Sequence, residues 1–403
     1  MGRYTTFLED FSYDIFPEDE GYEDKLIECA GRFRPFDEAM DAFICDHGYE
    51  GDVADIDEKV KYIASRFKEA GIKPPRSLKK WFTEDVRAGR GTAFEICFAF
   101  GLDLKESNDF FRRVYLGRGF DGHDMAEIVY MFALDHGISY EKASDMVRNL
   151  PAPRERKEPG KAVIYTEAIL EDIDDIDDAD ALVSYLSDHK SSFGYNNATA
   201  CSHIRKLWED IAGSDGLAVR EKKEFYIADE YLGDDGGKKG DGKKEIRADK
   251  KDSLWKVYLQ ILGLTGDKSK KLGSERTIKP LLKDAKIIHP LAEDSFPDRD
   301  GLNKILNHEH VSYERVRKML ILLTFYHHWV SRKLERGTDY VRGGDTVRFI
   351  DYMDNELLDV GYPELYVGNP YDWLIMYSLV NSDDPLGTFR EYMLNLYYTK
   401  FDD

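Results

Sequence analysis

Two stretches of this chain carry the same helical signature. Asn108, Phe110-Phe111 and Ile128-Val129-Tyr130 are matched by Asn355, Leu357-Leu358 and Ile375-Met376-Tyr377, each pair separated by 247 residues. In both copies an apolar helix runs into a turn rich in glycine and aromatic residues, and a second apolar helix follows. A repeat constrains the fold more than local propensity does, because one helix pair cannot bury its apolar face alone. The expected fold is all-α or nearly so: multi-helix bundles containing two related helix-pair repeats.

Hydrophobic periodicity extends this reading. From Tyr22 to Leu150, apolar residues recur at i, i+3, i+4 and i+7, which predicts helices over Glu23–Phe33, Phe36–Asp46, Asp57–Ala70, Arg76–Thr83, Thr92–Phe100, Leu104–Val114, His123–His136 and Tyr140–Leu150. Pro151-Ala152-Pro153 and the charged run after it end a first domain, residues 1–150. A middle helical segment is expected over 161–232, opening on Ala162–Tyr165, which fits either a strand or the lead into a helix. The acid cluster from Glu171 to Asp178 lacks the mid-loop glycine and closing glutamate of a calcium loop, and reads as a solvated helix start. Residues 233–252, rich in Gly, Lys and Asp, have the composition of a flexible linker or exposed loop. A C-terminal bundle, residues 253–403, is expected to hold a long helix at Tyr313–Leu334 and the second repeat copy. There Asn369-Pro370-Tyr371-Asp372 supplies an N-cap, a first-turn proline and a third-position acid, opening a helix apolar almost all round and therefore central.

Charge limits the partners. The chain of 403 residues has a formal charge of −21, so its averaged surface repels phosphate and anionic lipid, and any nucleic-acid contact requires a local basic patch. Such a patch lies between Gly71 and Gly119, where ten basic side chains outnumber six acidic ones. On a helix from Arg76, the side chains of Arg76, Lys79 and Lys80 share one face, while Leu78, Trp81 and Phe82 share the other. A basic face opposite an apolar one suits a groove-reading helix, and equally a solvated surface helix. The stretch Arg76–Phe111, RSLKKWFTEDVRAGRGTAFEICFAFGLDLKESNDFF, resembles the second half of a phage-repressor-type (XRE-like) helix-turn-helix, departing from it where Pro74-Pro75 stands before the recognition-like helix. The resemblance implies duplex DNA as a partner, with Arg76, Lys79, Lys80, Arg87 and Arg90 meeting phosphates. The N-terminal region through Leu150 also resembles uncharacterised helical proteins of bacterial mobile elements and their regulatory or defence cargo.

Other constellations are less specific. His308, His310, His327 and His328 bring imidazoles together in sequence, but adjacent helical residues point about 100° apart, so structural histidines and no metal site are expected. Arg118 and His123 fit the loose spacing of a helical ribonuclease superfamily, in which Arg stabilises phosphorane charge and His moves the proton. No phosphate-binding glycine loop, nucleophile elbow or Cys/His arrangement occurs, and no cofactor is expected. Cys29, Cys45, Cys97 and Cys201 are far apart and read as reduced thiols; with no leader and no long apolar run, a cytoplasmic location without membrane contact is expected. Tyr362, Tyr366 and Tyr371 fall on one inter-helix loop, which suits either a protein-contact surface or a packed connection. The leading expectation is a non-enzymatic regulatory or interaction protein that contacts DNA. In it the acidic remainder binds a protein partner or another copy of the chain; the alternative is a purely protein-binding helical adaptor or inhibitor with an acidic surface, and the third reading is a helical ribonuclease at Arg118 and His123.

Overall fold

The computed structural model describes most residues of 15–151, 171–225, 254–263 and 299–399. Every regular element among them is helical, so the chain is all-α. Among the described residues, eight α-helices precede residue 151: α1 (Tyr22–Ala30), α2 (Phe36–Asp46), α3 (Ile56–Glu69), α4 (Lys80–Thr83), α5 (Arg90–Phe100), α6 (Leu104–Asp109), α7 (Met125–Asp135) and α8 (Tyr140–Asn149). Then come α9 (Ala179–Asp188), α10 (Asn197–Ala212), α11 (Leu217–Phe225), α12 (Arg299–Leu306), α13 (Tyr313–Arg336), α14 (Gly344–Leu358), α15 (Pro370–Asn381) and α16 (Pro385–Thr399). Residues 162–165, 233–252, His123 and His310 lie outside the described residues.

The helix starts follow their cap chemistry. Asp55, Asp103, Asp124, Ser139 and Asp178 each accept a backbone N–H in the first turn of the following helix. Asp178, the last residue of the acid cluster, caps α9, whereas residues 171–174 at the other end of the cluster are themselves helical, so the cluster is a helix start only at its C-terminal end. Gly101 ends α5 in the left-handed region, at φ 66°, which lets the Leu102 N–H reach back to the Cys97 carbonyl.

Two predicted helices change on folding. The segment expected as one helix over Arg76–Thr83 has a single α-turn, α4, preceded by successive i→i+3 bonds from Leu78 to Pro75 and from Lys80 to Ser77. Pro75 cannot continue a helical ladder from upstream. The tighter pitch also stacks Leu78 over Trp81, and both are buried, Trp81 edge-on to Phe36 at 5.7 Å. The segment expected as Leu104–Val114 is α6 followed by a π-helical turn, Phe110–Val114, closed by the Tyr115 N–H on the Phe110 carbonyl. The wider turn places the adjacent Phe110 and Phe111 both in the core.

The helices bury two hydrophobic cores that do not follow chain order. The first collects α2 to α8 together with Ile173, Ala179, Leu182 and Leu186 from the region of α9. The second collects α10 to α16 and residues 258–262, and it also takes Tyr22, Leu26 and Cys29 of α1 and Leu116 from the first repeat's turn. Helix α13 runs through the second core, with α10, α11 and α16 packed on it and Met319, Leu320, Ile321, Leu322 and Leu323 all fully buried. Helix α15, expected to be central from its all-round apolarity, is buried from Tyr371 to Leu379.

Candidate functional site

The repeat resolves into two equivalent hydrogen-bonded units. In the first, the N3 acid of α7, Glu127, accepts the Asp121 N–H at 3.0 Å and pairs with Arg90. The Arg90 guanidinium also donates to the carbonyls of Arg118 and Gly119, at 3.1 and 2.6 Å. In the second, the N3 acid of α15, Asp372, accepts the Tyr366 N–H at 3.1 Å and takes both arms of Arg317, at 2.9 and 2.8 Å. Arg317 donates likewise to the carbonyls of Pro363 and Glu364, at 3.1 and 2.8 Å. An arginine from an earlier helix, α5 or α13, thus ties two loop carbonyls to a carboxylate at a helix N-terminus, where the helix dipole also favours negative charge.

The loop positions correspond at a separation of 245 residues: Arg118 with Pro363, Gly119 with Glu364, Asp121 with Tyr366, Asp124 with Asn369, and Glu127 with Asp372. The sequence register of 247 is therefore corrected. Asn355, matched to Asn108 in the sequence, is exposed and donates one turn back to Asp351. The counterpart of the buried Asn108 is Asp354: Asn108 accepts the Phe120 N–H and Asp354 accepts the Leu365 N–H. Side-chain similarity aligned the helices, whereas the hydrogen bonds align the loop, and two residues separate the registers.

Close packing at the first clamp yields a direct test. A Cβ on Gly119 would fall 2.2 Å from the Asn108 side-chain oxygen and 3.2 Å from Arg112 Nε. Gly119→Ala is expected to cost about 1–3 kcal/mol in urea denaturation, and Gly119→Ala with Asn108→Ala less than the sum of the two changes, since they share one contact.

The structure places the expected phosphate-contacting residues in two groups. Arg76, Lys79 and Lys80 are exposed on the segment leading into α4, as is Lys73. Lys79 lies 2.8 Å from Asp57 and Lys80 lies 2.8 Å from Glu84, both pairs more than half exposed and so weak competitors for another anion. Arg87 and Arg90 turn inward. Arg87 lies over the Tyr115 ring at 3.9 Å, and Arg90 is only 19% exposed within its clamp.

The tyrosine loop also turns inward, so of its two expected roles the packed connection holds and the contact surface is corrected. Tyr362 and Tyr371 are each 1% exposed. The Tyr362 hydroxyl donates to Asn197 at 2.5 Å and the Tyr371 hydroxyl to the Lys318 carbonyl at 3.0 Å, so both phenols are satisfied inside. Tyr366 is half-buried beneath the Arg112 guanidinium, at 5.2 Å. Arg118 meets Asp121, Glu127 and Glu314, tying the first repeat's loop to α13. Its expected companion His123 lies outside the described residues. His327 faces Asp210 at 3.8 Å while His328 packs on Trp329 and Phe349, so the adjacent imidazoles diverge.

A cleft of about 610 Å³ opens where the two cores meet, with Phe33, Phe43, Phe110 and Leu116 among its apolar lining. Arg34, Asp46, His47, Glu106, Asp109, Arg112 and Arg113 line it as well, and Gly368 of the second repeat's loop closes one side. Its balanced charges favour no single ligand class.

Fold and site together define an all-α protein with a duplicated helix–loop–helix unit clamped by arginine, and an exposed cationic segment beside the first unit. No family model, curated protein or solved structure matches the chain. Among the described residues, no helix is long and apolar enough to cross a membrane. Sequence inspection missed Arg317, Glu127 and Asp354. The N3 acid following an Asx cap was visible at Asp372, and the same signal two residues out of register would have found Glu127.

Proposed function

We propose that this chain is a non-enzymatic interaction protein that contacts the phosphate backbone of duplex DNA through residues 73–80, with the clamped units as a rigid scaffold. The observation that carries this reading is the joint exposure of Lys73, Arg76, Lys79 and Lys80 on a segment pinned inward by Leu78 and Trp81. A cationic segment on a fixed base contacts phosphate without first paying the ordering cost of a mobile tail. With α4 only one turn long, the contact is to the backbone and carries little base readout. Arg87 and Arg90 take no part in it.

The test is anisotropy of labelled duplex with the full chain at about 50 and 200 mM salt, where each phosphate contact steepens the salt dependence by about 0.9 in log–log slope. The full chain is the proper object, because α1 and Leu116 belong to the second core and a 1–150 fragment would lose that packing. Changing Arg76, Lys79 and Lys80 together to Glu is expected to weaken binding at least tenfold and flatten the salt slope. Binding unaffected by these changes would overturn the assignment to this segment.

One observation favours a second reading. Glu171, Asp172, Asp175, Asp177, Asp178 and Asp180 are all exposed around the start of α9, a surface suited to a basic protein partner. Absence of duplex binding by the full chain would favour that adaptor role.

A further inference from the structure

The two units differ at one chemical point. In the first, consecutive amides are held by the Asn108 amide oxygen (Phe120 N–H, 3.4 Å) and the Glu127 carboxylate (Asp121 N–H, 3.0 Å). In the second, both holders are carboxyl groups, Asp354 (Leu365 N–H, 2.8 Å) and Asp372 (Tyr366 N–H, 3.1 Å). Cations are distributed the opposite way. Glu127 meets both Arg90 and Arg118, whereas Asp372 takes both arms of Arg317. Around Asp354, the Leu365 N–H and Arg317 favour its ionisation while Glu364 of the loop and Asp372 oppose it, and its charge also reaches Tyr22 of α1, itself influenced by Glu18 and Asp19. Two carboxyl groups on neighbouring amides favour keeping one of them protonated.

We propose that Asp354 is a pH-sensitive latch on the loop of residues 361–369: the neutral acid copies Asn108 and sits in place without a charge to desolvate, while the carboxylate, although the stronger acceptor for the Leu365 N–H, is repelled by Asp372 and Glu364 and drawn towards water, which loosens the loop. Burial, reinforced by Glu364 and Asp372 against the Leu365 amide and Arg317, pushes the Asp354 carboxyl up to about 7. Because the folded value lies above the ordinary carboxylate value, the stabilisation is complete below pH ~4 and is lost as pH rises through about 7. The loop carries Tyr366 beneath Arg112 and Gly368 at the cleft, so the latch acts where the two cores meet.

The experiment is hydrogen–deuterium exchange of the full chain at pH 6 and pH 8, corrected for intrinsic rates and read on the peptide spanning 361–369. Wild type is expected to lose protection roughly tenfold between the two, a free-energy change of ~1.4 kcal/mol, and Asp354→Asn to show no such change. The reciprocal Asn108→Asp is expected to bring pH dependence to residues 117–122. Equal wild-type protection at both pH values, or an unaltered pH response in Asp354→Asn, would overturn the proposal. Carboxyl carbon NMR on the wild-type chain needs no variant: an Asp354 titration near 7 supports the latch, and one near 4 sinks it.

Discussion

Arg317→Ala is expected to cost about 3–5 kcal/mol of stability, one of the two largest effects of any single change considered. Arg317 and Asp372 have side chains 5% and 1% exposed, and the arginine holds both carboxylate oxygens and two loop carbonyls. Its removal leaves a buried carboxylate that still accepts the Tyr366 N–H but has lost its cation, and strands the carbonyls of Pro363 and Glu364. Arg317→Lys restores only part of the loss, because a point charge cannot serve a carboxylate and two carbonyls as a planar fork does. Paired replacement of Arg317 and Asp372 by methionine costs less than Arg317→Ala, since no charge is then left buried alone. Urea denaturation followed by circular dichroism measures this, and a loss under about 1 kcal/mol for Arg317→Ala would remove the clamp as a structural element. Arg90→Ala is the milder equivalent, at about 2–3 kcal/mol, because Arg118 still meets Glu127 at 3.0 Å.

The second large effect is expected at Trp373. Its ring stacks on Tyr377 at 4.8 Å and meets Phe33 edge-on at 5.9 Å, and its Nε1–H donates to the Leu26 carbonyl at 2.7 Å. These contacts hold α1 against α15 across almost the whole length of the chain. Trp373→Ala is expected to cost about 3–5 kcal/mol and to raise proteolytic cleavage and amide exchange over residues 22–33. Trp373→Phe keeps the ring contacts and loses the donor, which predicts about 1–2 kcal/mol. Unchanged protection of residues 22–33 in Trp373→Ala would show that α1 is held by other contacts.

Both effects arise from contacts that local patterning could not announce. Asp372 is legible as a third-position acid behind an Asx cap, yet its partner lies 55 residues upstream, in the charged opening turns of α13 beside Arg315 and Lys318, where an arginine reads as a surface charge. The helix-turn-helix resemblance makes Arg90, in its polar turn, a phosphate ligand. The fold supplies a nearer anion in Glu127, and the two loop carbonyls occupy much of the rest of the guanidinium. Tyr362 and Tyr371 fit a contact loop equally well in sequence. They are buried because a short helix–helix connection under a long apolar helix has no route to solvent for a ring whose hydroxyl already finds an acceptor inside. Arg76, Lys79 and Lys80 remained outside because Leu78 and Trp81 point the other way at helical spacing.

The amino-acid order by itself determined the all-α class, the side-chain caps that start several helices, the buried centre at α15 and the existence of a repeat. All of these follow from interactions within a few residues or from a period that a helix imposes on its own side chains. Tertiary structure alone decided the true register of the repeat, the division of helices between the two cores, and which charged residues face inward. Those outcomes depend on partners distant in the chain: α1 joins the C-terminal core through Trp373, and Arg317 finds Asp372 only once α13 and α15 are packed. A buried charge is set by the partner that compensates its desolvation, and no local pattern names that partner.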